Sequence, residues 1–346
     1  MKLHLPLAVG LLVAAANVAA GGEWRVEIRD RITGDLIPAR VHLSDPAGKA
    51  LRPDGLPSWR DHFVCPGTAT VSVPPGECRW VIERGPEWSV AEGSLRMGES
   101  GVQAVTEKLH RLTDLKAEGW WSGETHIHRA LRDVELLMRA EDLDVGQVIS
   151  WWNKANPWNH TPVPASVPFR FDGSRYFHAL GGEDERDGGA LLFLDLPKPI
   201  DIAAGAQHFP SSLAYSDLAR GAGCRWTDAE KPFWWDFPMW VAHGAVDSVG
   251  IAHNHMHRGG VLDNEAWGRP RDLAQYPGPQ GNGRYTQDIY YHLLNCGVRL
   301  PPSAGSASGV LPNPVGYNRV YVRSEEHTSE LQSHLNLVCR LLLEKK

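Results

Sequence analysis

The pattern of apolar residues changes near residue 115, and this change divides the chain into two parts. Before it, short runs such as Trp24–Ile28 alternate apolar and polar residues, and turn residues separate one run from the next. Closely spaced short strands of this kind are typical of a small β-sandwich. We therefore predict an all-β sandwich domain over residues 22–112.

After residue 115, runs typical of strands alternate with runs typical of helices. Residues 120–128 and 145–151 are strand candidates, and the segment 133–143 between them has apolar residues at helical spacing. Such alternation indicates the α/β class, with a parallel sheet or a barrel. A stretch rich in Gly, Pro and Arg, residues 268–285, is predicted to be a long loop.

The first twenty residues are typical of a secretory signal peptide. Lys2 supplies a positive charge, residues 5–16 form a short apolar run, and Val18-Ala19-Ala20 is a small-residue cleavage site. The run is too short to cross a bilayer, and no second one follows. We expect export without a membrane span, so a secreted or periplasmic protein.

Charge and cysteine content narrow the function classes further. The net charge of −6 gives no basic surface, so nucleic acid is not expected as a partner. Five cysteines are too few for a disulfide scaffold. Cys65 and Cys78, both in the sandwich domain, are candidates for a single disulfide.

The segment 323–346 departs from the rest of the chain. The strand pattern stops at Val322, and the residues that follow resemble the translation of a sequencing-library adapter. We interpret this segment as a non-native tail that replaces the natural C-terminal part. A native polar C-terminal helix is the alternative.

The candidate chemistry begins with two histidines separated by one residue, His126 and His128. Alternate residues of a strand face the same side, about one metal-ligand span apart. Sixteen histidines give roughly 0.7 such pairs by chance, so the pair indicates a site only if its position in the fold supports one. The pair ends a predicted strand, where β/α barrels carry their active sites.

Other polar clusters also follow predicted strands. Together they favour a functional pocket over a purely structural barrel. The clusters are Ser150–Asn153, Gly181–Arg186, Asp228–Pro232 and His253–His257.

Three motifs in the second part resemble a known family. They are Thr-His-Ile-His at 125–128, Leu-Gly-Gly-Glu at 180–183 and Gly-Ser-Ala-Ser-Gly at 305–309. Their order and spacing resemble PHP (polymerase and histidinol phosphatase) domains over residues 115–322, and within them the CehA/McbA-type metallohydrolases. The resemblance implies a distorted (β/α)7 barrel with His126, His128 and Glu183 as metal ligands. The sandwich domain, in turn, resembles the carboxypeptidase-regulatory-like modules that precede many secreted enzymes.

The chain also departs from the PHP pattern. Three of the family's ligand motifs are replaced, by Ser150-Trp151-Trp152, Ala229-Glu230-Lys231-Pro232 and Ser306-Ala307-Ser308. The surviving donors suit one divalent ion, zinc or manganese, held by His126, His128 and Glu183 with His255 or Glu230 as a further ligand.

The residues leave a site without a metal open as well. Glu230 or Asp184 would then be the acid or base, and Lys231 would stabilise negative charge. Arg129 is a candidate for binding an anionic substrate group. The structural alternatives are core histidines, a solvated Glu183, a surface Glu230–Lys231 pair and a surface Arg129.

These observations predict a metal-dependent hydrolase of an ester, amide or phosphoester bond. Fourteen tryptophans, several of them paired, favour a small-molecule or carbohydrate-like substrate with an apolar or ring-shaped part. The alternative is a catalytically inactive PHP-like protein that binds carbohydrate or another ligand in a Trp-rich pocket.

Overall fold

A computed structural model describes residues 21–165 and 167–323. The predicted signal peptide, residues 1–20, and residues 324–346 of the predicted tail lie outside the described residues. Within the described ranges, no helix is long and apolar enough to cross a membrane.

Residues 22–109 form eight strands in two sheets. The strands are β1 (Gly22–Asp30), β2 (Ala39–Ser44), β3 (Ser58–Trp59), β4 (His62–Cys65), β5 (Thr68–Val73), β6 (Gly76–Glu83), β7 (Ala91–Met97) and β8 (Val102–Leu109). One sheet has the order β5-β1-β8 and the other β3-β4-β2-β6-β7. Strict alternation of buried and exposed residues along β5 shows why these short runs fold as half-buried strands.

One apolar core fills the space between the two sheets. Trp24 stacks on Trp80 at a centroid distance of 6.3 Å, and Phe63 is fully buried beside them. Cys65 and Cys78 lie in this core as free thiols, so the candidate disulfide is not formed. Burial raises the pKa of Cys65 to about 11, which keeps the thiol neutral.

The second part contains eleven more strands and, among the described residues, four α-helices. The strands are β9 (Trp120–Ile127), β10 (Val145–Trp152), β11 (Phe169–Phe171), β12 (Arg175–Arg186), β13 (Gly189–Leu194), β14 (Trp226–Ala229), β15 (Ser248–Ala252), β16 (Met256–His257), β17 (Gly260–Val261), β18 (Pro302–Ala304) and β19 (Val320–Arg323). The helices are α1 (Leu131–Ala140), α2 (Ser212–Gly221), α3 (Phe237–Ala242) and α4 (Pro279–Asn295). Because α4 begins at Pro279, the predicted loop over 268–285 is too long at its C-terminal end.

The prediction of a (β/α)7 barrel in the α/β class is wrong. Strands occupy 38% of the described residues and helices 15%, whereas such a barrel needs a helix after nearly every strand. The main sheet has the order β18-β15-β14-β13-β12-β10-β9-β19 and is mixed, because β13 is antiparallel to both neighbours and β19 is antiparallel to β9. The physical reason is a hairpin. β12 returns directly into β13 through a tight turn that ends at Gly189, whose φ of +133° favours glycine, and this turn leaves no room for a crossover helix.

The main sheet curls into a nearly closed barrel. Thr125 Oγ1 donates to the carbonyl of Ala304 at 3.0 Å, and Ile127 bridges to Ser308, so β9 meets the β18 region. Inside the barrel, the Asp228 carboxylate accepts hydrogen bonds from Ser248 and Ser303 on the neighbouring strands. The barrel interior is therefore polar at this end.

A buried polar interface joins the sandwich to the barrel. Arg40 pairs with Glu141 at 2.5 Å, just after α1. Asp142 accepts from Trp88 Nε1 at 2.9 Å and from Arg111 at 2.7 Å, and it also pairs with Arg175 of the barrel. These contacts fix the sandwich beside the start of the barrel.

Candidate metal centre

Strand β9 brings His126 and His128 to one side of the barrel wall. The residue between them, Ile127, is fully buried on the opposite side, against α1. The two Nε2 atoms lie only 2.8 Å apart. Two imidazole nitrogens approach this closely when they share a proton or a cation, so the expected same-face arrangement is present.

Glu183 reaches the same point from β12. Its Oε2 lies 3.2 Å from His128 Nε2 and 3.6 Å from His126 Nε2. The Gly182 before it is required by close packing, because a Cβ there would overlap the indole ring of Trp151. Glu183 is buried, so it is not a solvated surface charge.

His126, His128 and Glu183 therefore form a group that could hold a metal ion. Their donor atoms all lie within 4.8 Å of one another. Two imidazoles and one carboxylate are a donor set that binds transition metals such as zinc.

The charges around the pair favour a positive charge on the His126 imidazole. Burial alone would lower the pKa of His126, but the carboxylates of Glu183 and Glu230 outweigh burial and raise it to about 9. The pKa of Glu183 is held well below its usual range, because the two histidines outweigh the effect of its burial. The site thus stabilises a proton or a metal cation at the histidine nitrogens.

Glu230 and Lys231 lie directly beside this group, at the end of β14. Glu230 Oε1 is 3.5 Å from His126 Nδ1 and accepts a hydrogen bond from Asn254 Nδ2 at 2.5 Å. Lys231 Nζ pairs with Glu230 Oε2 at 2.6 Å and lies 4.7 Å from the ring centre of Trp234. Both residues are buried, so they are not a surface ion pair.

We call His126, His128, Glu183 and Glu230 the barrel cluster. A carboxylate on the far nitrogen of a ligating histidine fixes its tautomer and leaves the other nitrogen free to bind a metal. Glu230 lies on the side of His126 that this arrangement needs, at an ion-pair distance of 3.5 Å from Nδ1, although the two groups form no hydrogen bond.

Glu185 also belongs to the site, although it was not among the residues predicted from the sequence. It lies two positions after Glu183 on β12 and so faces the same side, and together with Glu183 and Glu230 it forms a second group that could hold a cation. Burial and the two neighbouring carboxylates raise the pKa of Glu185 to about 8. The period of two along a strand was the signal that could have identified it.

The remaining candidates lie around the cluster. His255 hydrogen-bonds through Nδ1 to the carbonyl of Asn264 at 3.1 Å, and burial lowers its pKa to about 3. It belongs to none of the metal-capable groups found among the described residues. Asp184 lies on the opposite face of β12 from Glu183 and forms a two-pronged ion pair with Arg186 at 2.7 and 2.8 Å.

Arg129 turns away from the cluster, toward the sandwich domain. Its guanidinium donates to the carbonyl of Ser58 at 3.0 Å and lies 5.6 Å from the ring centre of Trp59. Burial lowers its pKa. Its observed role is to join the two domains.

The sandwich carries another group of metal-ligand residues, which we call the sandwich cluster: His42, Asp61 and His62. His42 Nδ1 and His62 Nδ1 each face a different oxygen of Asp61, at 3.1 and 3.0 Å. His42 Nε2 also lies 3.2 Å from Glu83.

Comparison with known proteins does not assign the chain to a family. No protein-family model matches the chain, and no curated protein does. Two solved structures share 15% identity with parts of it: the Bacillus anthracis TIE protein, which covers 32% of this chain at a TM-score of 0.22, and the group B streptococcus pilus 2b backbone protein, which covers 28% at 0.23. The matches span 19% and 43% of those two chains, and likenesses this weak carry no argument about fold or function.

Proposed function

We propose that this protein is an exported metal-dependent hydrolase that cleaves an ester, amide or phosphoester bond. The observation that carries the proposal is the convergence of His126 Nε2, His128 Nε2 and Glu183 Oε2 in a buried site. The three motifs that resemble PHP domains support it through these residues alone, since the barrel does not have that family's fold.

The donor set fits one divalent ion, zinc or manganese. His126, His128 and Glu183 would hold it, which leaves one coordination position for water or substrate. Glu183 Oε2 is buried without a hydrogen-bond partner among the described residues, as expected of a carboxylate oxygen that accepts a metal. Such an ion, when bound, lowers the pKa of a water molecule and polarises the bond to be cleaved.

The side chains around the donors have separate roles in this proposal. The charge of Glu230, 3.5 Å from His126 Nδ1, would favour a proton on that nitrogen, and Asn254 orients Glu230 through its hydrogen bond. Lys231 Nζ, buried beside Glu230, supplies a fixed positive charge that stabilises the negative charge developing in the transition state.

Metal content and hydrolysis test the proposal together. We expect purified wild-type protein to contain about one equivalent of zinc or manganese by elemental analysis and to hydrolyse p-nitrophenyl acetate or p-nitrophenyl phosphate. The variant with His126→Ala and His128→Ala should lose both the metal and the activity while its circular dichroism stays unchanged. Wild type without metal, or the same metal content in the double variant, would falsify the proposal.

A catalytically inactive ligand-binding protein is the second candidate. Two half-exposed tryptophans, Trp235 and Trp267, line an open hollow and favour it. The assay separates the two candidates, because an inactive binding protein leaves both esters intact whether or not it contains metal.

A further inference from the structure

A groove runs along the barrel beside β12 and consists of two adjoining hollows. Their volumes are about 570 and 390 Å³. Asp184, Arg186 and Gln207 line both, so the hollows are continuous. The groove is long and open, which suits a chain-like ligand better than a compact one.

The larger hollow presents two indole rings in fixed positions. Trp235 is 54% exposed and Trp267 46% exposed. Trp235 Nε1 donates to the carbonyl of Trp267, and Trp267 Nε1 donates to the carbonyl of Arg186, both at 3.0 Å. Trp267 also stacks on the buried Trp234 at 5.1 Å. Held in this way, the rings lose little conformational freedom when a ligand stacks on them.

The polar groups beside the indoles are mainly acceptors. Asp187 accepts from Gln207 Nε2 at 2.6 Å and lies 3.4 Å from His208, while Asp184 is paired with Arg186. Asp236 adds a third carboxylate to the lining. Carboxylates outnumber the cationic side chains here, so hydroxyl donors are favoured and anionic ligands are disfavoured.

The smaller hollow shares one side chain, Trp152, with the surroundings of the barrel cluster. Trp152 lines it, and the Trp152 ring contacts the imidazole of His128 at a centroid distance of 5.3 Å. Trp152 Nε1 is buried and has no hydrogen-bond partner among the described residues. The Trp152 ring therefore separates the smaller hollow from His128.

We propose that this groove binds a neutral carbohydrate chain. The apolar C–H face of a sugar ring stacks on an indole, and its hydroxyls donate to carboxylates, which matches what the groove offers. That the bound carbohydrate carries the bond to be cleaved rests on the proposed function. Binding of the carbohydrate to the groove does not.

Isothermal titration calorimetry with cellohexaose, maltohexaose and chitohexaose tests the proposal. We expect wild type to bind at least one of the three, and Trp235→Ala and Trp267→Ala each to weaken that binding about tenfold. Tyr291→Ala removes an aromatic ring of similar exposure from α4, outside the groove, and should bind as wild type does. Thermal unfolding of each variant shows whether it is folded.

Two results would overturn the inference. One is that wild type binds none of the three oligosaccharides. The same holds if it binds tetramethylammonium in their place, because aromatic rings can also bind a quaternary ammonium ion. The other is that folded Trp235→Ala and Trp267→Ala bind as tightly as wild type. His128→Ala should keep sugar binding while it loses metal, so failure of the metal proposal and failure of this one give different results.

Discussion

The barrel cluster and the sandwich cluster contain the same kinds of donor but arrange them differently. The sandwich cluster contains two histidines and a carboxylate with donor atoms within 4.8 Å of one another, and so does the barrel cluster in His126, His128 and Glu183. In the sandwich, each histidine faces its own oxygen of Asp61. In the barrel, the two histidine nitrogens face each other at 2.8 Å, with Glu183 beside both.

The compensation of negative charge also differs. Arg40 and Arg258 both pair with Glu83 next to the sandwich cluster, at 2.7 and 3.2 Å. In the barrel, Glu183, Glu185 and Glu230 converge with Lys231 as their neighbouring cationic side chain. The comparison indicates that arginines complete the sandwich cluster, whereas the barrel cluster favours an added cation.

The largest expected effect is on zinc affinity. In protein treated with a chelator and titrated with zinc by calorimetry, His128→Ala should weaken binding about a thousandfold, or about 4 kcal/mol, because it removes one of three ligands. His62→Ala is the matched control in the sandwich cluster and should leave zinc affinity unchanged. The comparison fails if His62→Ala, folded by circular dichroism, loses zinc while His128→Ala keeps it.

The second effect concerns the arginine that compensates the sandwich cluster. Arg40→Met leaves Glu83 and Glu141 without their buried partner, and we expect the free energy of unfolding to fall by about 3 kcal/mol in urea. Arg25→Met breaks an exposed pair with Glu23 and should change it by less than about 1 kcal/mol. Equal losses of unfolding free energy in the two variants would mean that burial does not increase the contribution of the Arg40 ion pairs to stability.

Part of the fold could be predicted from the sequence, and part of it could not. Alternation predicted that His126, in β9, and His128, just after its end, face the same side, and strand patterns identified four of the eight strands of the sandwich. The barrel topology was not, because the Gly181–Arg186 cluster was predicted to follow a strand, whereas β12 runs through it to Arg186 and turns directly into β13. The two residues between β12 and β13 leave room only for an antiparallel hairpin, and the positive φ of Gly189 allows its tight turn.

The site was predictable only where its residues are close in sequence. The contact of Glu230 with His126 joins positions about a hundred residues apart on separate strands, and no spacing rule could give its geometry. Arg129 was misleading for the opposite reason. It directly follows the His pair, yet β9 ends at Ile127 and the Arg129 side chain turns toward Ser58.

The third effect is a loss of stability in acid that comes from the sandwich cluster. Burial lowers the pKa of His62 to about 4, below the ordinary value of 6.5, so the unfolded chain binds more protons between these values. Stability is therefore present above pH 6.5 and falls as the pH drops toward 4, by about 3 kcal/mol. His62→Gln should reduce the slope of the unfolding free energy over this range, to which the buried His178 and His255 also contribute, whereas His160→Gln, at an exposed site, should leave the slope as in wild type. A slope unaffected by His62→Gln would assign the acid lability to other groups.

The smallest expected effect concerns a hydrogen bond that supports the barrel cluster. Asn254 donates to Glu230, which in turn faces His126, so Asn254→Ala loosens a support two contacts away from the donor atoms. We expect zinc affinity to fall about threefold, which corresponds to one modest hydrogen bond. Asn156→Ala is the control, since Asn156 caps the short helix Pro157–Asn159. If Asn254→Ala has no more effect on zinc than Asn156→Ala, then Glu230 does not position His126, and the barrel cluster depends on its three donor residues alone.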